Sequence, residues 1–309
     1  MSITEGRIIG QKKNVKLIKV IAPNAVPNKM HTLLLGPSGH GKTFLARHFL
    51  ALAEKNGYEW KYVLGDKATT IMPPKNGVLF IDEIHMIPSE DQESLYPIMD
   101  TYNCCIIAAT TDLDMLKEPL RNRFKLQIEI EPYSFKELLS IASLYTTNPI
   151  IQLLAVHLGQ FVPRQIINTT LVLNQLCQGA KTDKEIYTAS LALGTNILGI
   201  DRRGLALLEG LAHGQPMGIA RLSALTRIKK GTIEKDVEPH LLRQGFIIST
   251  RSGRQITQAG LYALALSKEM DEEMINTILV TGAKFWDDYR LDKVVAAVFE
   301  TATASSGTI

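Results

Sequence analysis

His31-Thr32-Leu33-Leu34-Leu35 is a short apolar run that stops at a glycine-rich turn, and beyond it Phe44, Leu45, Phe49, Leu50 and Leu52 recur at helical spacing. That pattern predicts strand, loop and helix. Val78 to Ile81 and Cys104 to Ala109 are unbroken apolar stretches, as expected of strands buried on both faces of a helix-covered parallel sheet. Between them Pro88-Ser89 predicts the start of a helix running to Met99, and the alternation from Lys125 to Ile130 predicts a last strand. Strand and helix therefore alternate in the doubly wound manner.

From Ser134 the pattern becomes helical throughout. Ser134 with Glu137, and Thr182 with Glu185, have capping-box spacing, in which each side chain satisfies the other's orphan backbone donor. Leu138, Leu139, Ile141, Ile166, Leu171 and Leu173 suit a small helical bundle. From Asp201 to about Leu266 short helices precede Gly245-Phe246-Ile247-Ile248, a turn at Ser252-Gly253 and Gln255-Ile256-Thr257. Helices closed by a hairpin predict a winged helix. The expected fold class is an α/β domain with a parallel sheet, then an all-α domain, then a winged-helix domain.

At 309 residues the chain exceeds what one hydrophobic core usually organises. Hydrophobic residues at 45% and charged residues at 21% are ordinary for a globular protein. Met1 to Arg7 lacks the layout of a secretory signal, and no apolar run is long enough to span a bilayer, so a cytoplasmic location is expected. Three cysteines, two of them adjacent at Cys104 and Cys105, make neither a disulfide framework nor a zinc site and are expected to be small buried hydrophobes. Net charge is only +3, but residues 200–260 hold ten Lys/Arg against five Asp/Glu, and residues 268–300 hold four against eight. A basic module followed by an acidic extension is expected.

Gly36-Pro37-Ser38-Gly39-His40-Gly41-Lys42-Thr43 fits G-x-x-x-x-G-K-[ST] in full. Its glycines let backbone N–H groups curl around phosphates at the helix N-terminus that continues into Phe44. Lys42 then supplies a point charge to the β and γ phosphates and the Thr43 hydroxyl a ligand to Mg²⁺. ATP and Mg²⁺ are the expected cofactors, and the fold class narrows to a P-loop α/β domain. Asp82-Glu83 follows directly on the Val78 to Ile81 run, where a carboxylate at the C-terminal end of a parallel strand faces the ligand crevice. Asp82 is expected to bind the metal and Glu83 to polarise the attacking water. Departure of the γ-phosphoryl also calls for positive charge beyond one lysine. Arg121, Arg123 and Arg164 are the candidates, although as surface residues any of them would need no special role.

Taken together these residues resemble the RuvB Holliday-junction branch-migration motors of the AAA+ class. The resemblance runs through Ile8-Ile9-Gly10-Gln11, the P-loop, Leu79-Phe80-Ile81-Asp82-Glu83-Ile84-His85, Leu95-Tyr96-Pro97-Ile98-Met99-Asp100, Ala109-Thr110-Thr111 and Pro119-Leu120-Arg121-Asn122-Arg123-Phe124. It resumes at Asp201-Arg202-Arg203 and along residues 232–246, which look like that family's winged-helix signature. The resemblance implies an AAA+ ATPase domain over 1–132, a helical lid over 133–197, a DNA-binding winged helix over 198–266 and an acidic extension over 267–309. It further implies that Ile9 and Tyr133 lie against the adenine, that Thr110 is a sensor beside the γ-phosphate, and that Arg164 is a second sensor. Arg123, with Arg121 less favoured, becomes the arginine finger. A finger acting in trans implies a homo-oligomer, in this family a hexameric ring around duplex or four-way-junction DNA. One departure stands out: Asp100-Thr101-Tyr102-Asn103 passes almost directly into the next strand, leaving no room for the hairpin that docks on the partner RuvA in the family. A second is Phe161-Val162, where the family has Gly-Thr.

Arg251 and Arg254 flank the predicted hairpin turn and are candidates for phosphate contacts, with Arg227, Lys229, Lys230 and Arg243 extending the same face. Such contacts add a salt-sensitive, sequence-independent attraction, and nothing in the pattern points to base-specific readout. The expected function is an ATP-dependent DNA motor. A loader or switch that assembles on DNA without translocating, and a remodeller of protein complexes, are the competing expectations.

Overall fold

The computed structural model describes residues 8–180, 182–268 and 292–297. It divides into two compact units, Met1–Tyr133 and Ser134–Ile309. In the first unit α1 (Lys12–Ile21) leads to β1 (Thr32–Leu35), α2 (Lys42–Lys55), β2 (Glu59–Leu64), β3 (Gly77–Asp82), α3 (Tyr96–Asp100), β4 (Cys104–Thr110), α4 (Glu118–Arg123) and β5 (Leu126–Glu129). The five strands form one parallel sheet in the order β2-β3-β4-β1-β5. Adjacent registers bring Leu35 opposite Thr110 and Leu64 opposite Asp82, so the carboxyl ends of β1, β3 and β4 share one edge. That edge is where doubly wound sheets open a ligand crevice.

Alternation along the strands sends residues to two cores. Leu34, Phe80, Cys105 and Ile107 pack with Ile18, Leu45 and Phe49 on one face. Leu33, Leu79, Ile81, Cys104 and Ile106 pack with Leu95, Leu120 and Phe124 on the other. Both faces are covered, which is why β3 and β4 read as continuous apolar runs. The three cysteines are free and buried, as expected; burial pushes the Cys104 thiol up to about 11 and raises Cys105 and Cys177 as well.

Two elements differ from the sequence reading. The helix expected from Ser89 to Met99 is a 3-10 segment, Ser89–Leu95, followed by the short α3. Pro97 lies in the first turn of α3, where its missing N–H is harmless. In a helix continuous from Ser89, its ring would clash with the carbonyl of Glu93. β2 was not apparent in the pattern at all: at the sheet edge only Val63 is buried, so Glu59-Trp60-Lys61-Tyr62-Val63-Leu64 has no apolar run to betray it.

The second unit begins with α5 (Phe135–Ala142), α6 (Pro149–Leu158), α7 (Pro163–Leu176) and α8 (Asp183–Ser190). Ser134 and Glu137 make a full capping box at α5, and the Thr182 hydroxyl accepts from the Glu185 N–H at α8. Ile166, Thr170 and Leu173 face inward from α7, whereas Leu171, expected among the bundle residues, falls off that stripe and is exposed. Next come α9 (Arg202–Leu211), α10 (Ile219–Thr226), α11 (Lys230–Thr232), a π turn over Ile233–Val237, α12 (Glu238–Arg243), the hairpin β6 (Ile247–Thr250) and β7 (Gly253–Ile256), and α13 (Gln258–Lys268). Met217 and Arg254 exchange backbone hydrogen bonds of 2.8 and 2.9 Å, which adds a third short segment to the hairpin. Gly253, at φ +129, lets this happen, since a Cβ there would lie 2.4 Å from the Met217 carbonyl. This is a winged helix. The expected acidic extension falls almost wholly outside the described residues.

Phe161, at φ 62, sits between two buried histidines. Its ring stacks on His240 at 6.5 Å and lies 5.8 Å from His157. His157 Nδ1 meets the Ile197 carbonyl at 2.9 Å, and His240 Nε2 meets the Leu198 carbonyl at 3.2 Å. Gln160 Nε2 donates to the Gly199 carbonyl, and Arg243 Nη1 donates to the Gln160 carbonyl. Within the second unit, α6 and the turn after it are thereby keyed to the winged helix.

Candidate functional site

β1 ends at Leu35 and the chain turns through Gly36 to Gly41 before α2 starts at Lys42. Gly41 is left-handed at φ 97, and a Cβ there would come within 3.1 Å of the Tyr133 hydroxyl, so both backbone and space call for glycine. The first N–H groups of α2 have no intrahelical partners and open onto the loop, which makes an anion site of it. Lys42 is buried and curls back, its Nζ donating to the Gly36 and Pro37 carbonyls at 2.8 and 3.1 Å. Its charge is thus held inside the concavity that Ser38, Gly39 and His40 complete. Phe44, two residues on, is exposed.

The Thr43 hydroxyl donates to Asp82 Oδ2 at 3.0 Å, joining the loop to the end of β3. A hydroxyl and a carboxylate oxygen are a donor set for a hard cation such as Mg²⁺, which usually completes its shell with water and phosphate oxygens. Among the described residues, no group of three or more His, Cys, Asp or Glu side chains is placed to hold a metal by itself.

Glu83 turns left-handed directly after the strand, at φ 50 and ψ 52. Such a conformation in a non-glycine residue is concentrated at functional sites. Its carboxylate Oε2 lies 3.4 Å from His85 Nδ1 and 3.5 Å from the Thr111 hydroxyl. Thr110, at the end of β4, is buried. Its hydroxyl donates to the Asp112 carbonyl at 2.9 Å, accepts from the Asp112 N–H at 3.0 Å, and meets His85 Nδ1 at 3.1 Å. Four side chains from two adjacent strand ends therefore converge.

The remaining candidates are dispersed. Tyr133 donates to the His40 carbonyl at 3.2 Å, over the P-loop. Gln11 bonds reciprocally to Glu131, at 2.7 and 3.0 Å, which brings the segment bearing Ile9 beside the segment bearing Tyr133. Arg123 stacks over the Tyr96 ring at 3.9 Å and pairs with Asp100 at 3.2 Å, while Arg121 Nε donates to the Leu116 carbonyl at 2.6 Å. Arg164 is exposed in the first turn of α7.

In the winged helix Arg251 is exposed in the hairpin turn, and Lys229, Lys230, Arg227 and Arg243 are exposed as well. Arg254 is not at the tip with Arg251. Its guanidinium reaches inward to Glu238, with Nε–Oε1 at 2.8 Å and Nη2–Oε2 at 3.0 Å, and lies 3.9 Å from Glu234. Arg251 lies in the turn itself, whereas Arg254 lies on β7 opposite Ser249, which sets the two arginines in different environments.

Three residues had no assigned role in the sequence reading: His85, Gly65 and Gln11. A Cβ on Gly65 would lie 2.2 Å from the Glu83 carbonyl oxygen, so this glycine makes room for the left-handed turn. His85 carries a local signal, two residues beyond the acidic pair. Gly65 carried no local signal, since its contact is with another strand's end.

Comparison with known proteins agrees with this architecture. Residues 32–132 match the model for the ATPase family associated with various cellular activities (AAA), and residues 197–265 match the RuvB C-terminal winged helix domain. The Holliday junction branch migration complex subunit RuvB of Neorickettsia sennetsu is 27% identical over 296 residues, covering 82% of this chain and 89% of that protein. Its counterpart from Campylobacter hominis is 29% identical over 317 residues, with 86% and 90% covered. Among solved structures, the Thermotoga maritima RuvB Holliday junction branch migration motor superposes with a TM-score of 0.66 at 26% identity, over 83% of this chain and 95% of that one.

Proposed function

Since this chain is a RuvB-like AAA+ ATPase, we propose that its ATP hydrolysis, supported by Mg²⁺, drives translocation on duplex or branched DNA, four-way junctions included, in recombination or repair. The observation that carries this reading is the 3.0 Å bond from Thr43 to Asp82, at the carboxyl edge of a parallel sheet, in a chain that also bears a winged helix. In this reading residues 1–132 form the motor core, 133–197 its lid, 198–266 the DNA module and 267–309 an acidic extension.

The loop N–H groups and Lys42 bind the phosphates, Ile9 and Tyr133 bracket the adenine, and Thr43 and Asp82 hold Mg²⁺. The metal supplies charge neutralisation on the phosphate oxygens. Glu83 orients and deprotonates the attacking water, Thr110 and Arg164 report on the nucleotide, and Arg123, or failing it Arg121, stabilises the departing γ-phosphoryl of a neighbouring copy. Assembly is a homo-oligomer, by family likeness a hexameric ring. Arg251, Lys229 and Lys230 meet the phosphate backbone without reading bases, with Arg243 and Arg254 behind them.

The test is steady-state ATP turnover with and without junction DNA, alongside displacement of a labelled junction arm. DNA-stimulated turnover with arm movement is expected, and Glu83→Gln should keep ATP bound while turnover falls ~100-fold or more. A second reading, a loader or switch that does not translocate, draws on the three-residue link from α3 at Asp100 to β4 at Cys104, too short for a partner-docking hairpin. Stimulated turnover with no arm movement would select it, and the short link puts dependence on RuvA in doubt under either reading.

A further inference from the structure

We propose that His85 is a positioning residue that holds the Glu83 carboxylate in register with Thr110, so that the strand end which senses the nucleotide also sets the water-activating glutamate. The inference rests on the reading of Glu83 as the residue that activates water.

Hydrogen-bond capacity at Thr110 leads to it. A hydroxyl has one donor and two acceptor sites. The donor goes to the Asp112 carbonyl and one acceptor to the Asp112 N–H. His85 Nδ1, 3.1 Å away, faces the remaining acceptor site, which it fills as the Nδ1–H tautomer. That same N–H lies 3.4 Å from Glu83 Oε2. One imidazole nitrogen thus bonds a threonine hydroxyl at the end of β4 and stands within ion-pair distance of a carboxylate at the end of β3.

Glu83 needs such support. Its backbone is left-handed, and among the described residues the other side-chain hydroxyl near its carboxylate, that of Thr111, stands 3.5 Å from the same oxygen. Thr110 meanwhile has no hydroxyl capacity to spare. For it to donate to a terminal phosphate oxygen it must release the Asp112 carbonyl, and as the hydroxyl reorients its lone pairs reorient with it. The N–H of His85 follows those lone pairs, and the Glu83 carboxylate follows the N–H. The imidazole touches neither nucleotide nor water in this scheme and acts only through Glu83.

The discriminating variants differ in where they put a donor. An Asn side-chain amide nitrogen occupies the place of His Nδ1, one bond from Cγ, whereas a Gln amide reaches the place of Nε2. His85→Ala and His85→Gln should lower kcat roughly 10- to 100-fold with the Kd for a non-hydrolysable ATP analogue within about twofold, and His85→Asn should recover most of the rate. His85→Ala combined with Thr110→Val should lose little more than the worse single variant, because both break one connection. Should His85→Ala fold poorly, the Asn and Gln proteins carry the comparison. Full turnover by His85→Gln, equal rescue by Asn and Gln, or multiplicative losses in the double variant would overturn the proposal. Glu83→Gln is measured beside them: if it is inactive while His85→Gln is fully active, only this inference falls. If Glu83→Gln itself turns over normally, the reading beneath it falls too.

Discussion

At Glu83 the chain leaves a fully buried strand and turns left-handed within one residue, and it does so against the backbone of Gly65, which offers no side chain to obstruct it. Adding a methyl group at Gly65 would force the two segments apart. Gly65→Ala is expected to lower kcat at least ~10-fold and to cost about 1–3 kcal/mol of stability. ATPase assays and thermal melting check both; a variant with normal turnover would mean that the turn at Glu83 tolerates displacement. The P-loop and the acidic pair were legible in the sequence because their chemistry is local, with a fixed spacing of residues that one turn and one strand end bring together. His85, Gly65 and Gln11 act through contacts with residues 25, 18 and 120 positions away, and spacing along the chain carries no trace of those.

Among the elements, the wing shows how far a pattern can be followed. Its hairpin and turn were readable, yet the two arginines that looked equivalent are not. Arg251 is exposed, while Arg254 is bidentate with Glu238, itself only 7% exposed at the side chain. Arg254→Ala would strand that carboxylate, so a loss of about 2–3 kcal/mol is expected, against about 0.5 kcal/mol or less for Arg251→Ala. Urea titration separates them, and equal midpoints would show that the ion pair contributes nothing net. For DNA the order should reverse: Arg251→Ala lowers affinity and flattens its salt dependence by about one phosphate contact. Buried elements such as β3 and β4 declared themselves as apolar runs. β2 did not, because an edge strand with one buried side chain has no hydrophobic pattern to display.

For the molecule as a whole, the histidines around Phe161 make acidity the expected weakness of the second unit. Burial lowers His157 and His240 from 6.5 to about 4, so between those values the unfolded chain binds protons that the folded one excludes. Stability is therefore complete above pH 6.5 and is lost as pH falls towards 4, by about 3 kcal/mol for each histidine at the lower end. Urea midpoints from pH 8 to 4.5 should show this slope. His240→Gln, which keeps a donor for the Leu198 carbonyl, should roughly halve it; an unchanged slope would place the titration elsewhere. Both units hold their sulfur chemistry out of reach. With all three thiols buried and their ionisation suppressed, alkylating dyes and mild oxidants have no thiolate to attack in the folded protein. A cysteine introduced at Arg251 would then be the single rapid site for a fluorophore, and the wing could be followed on DNA without removing a native cysteine.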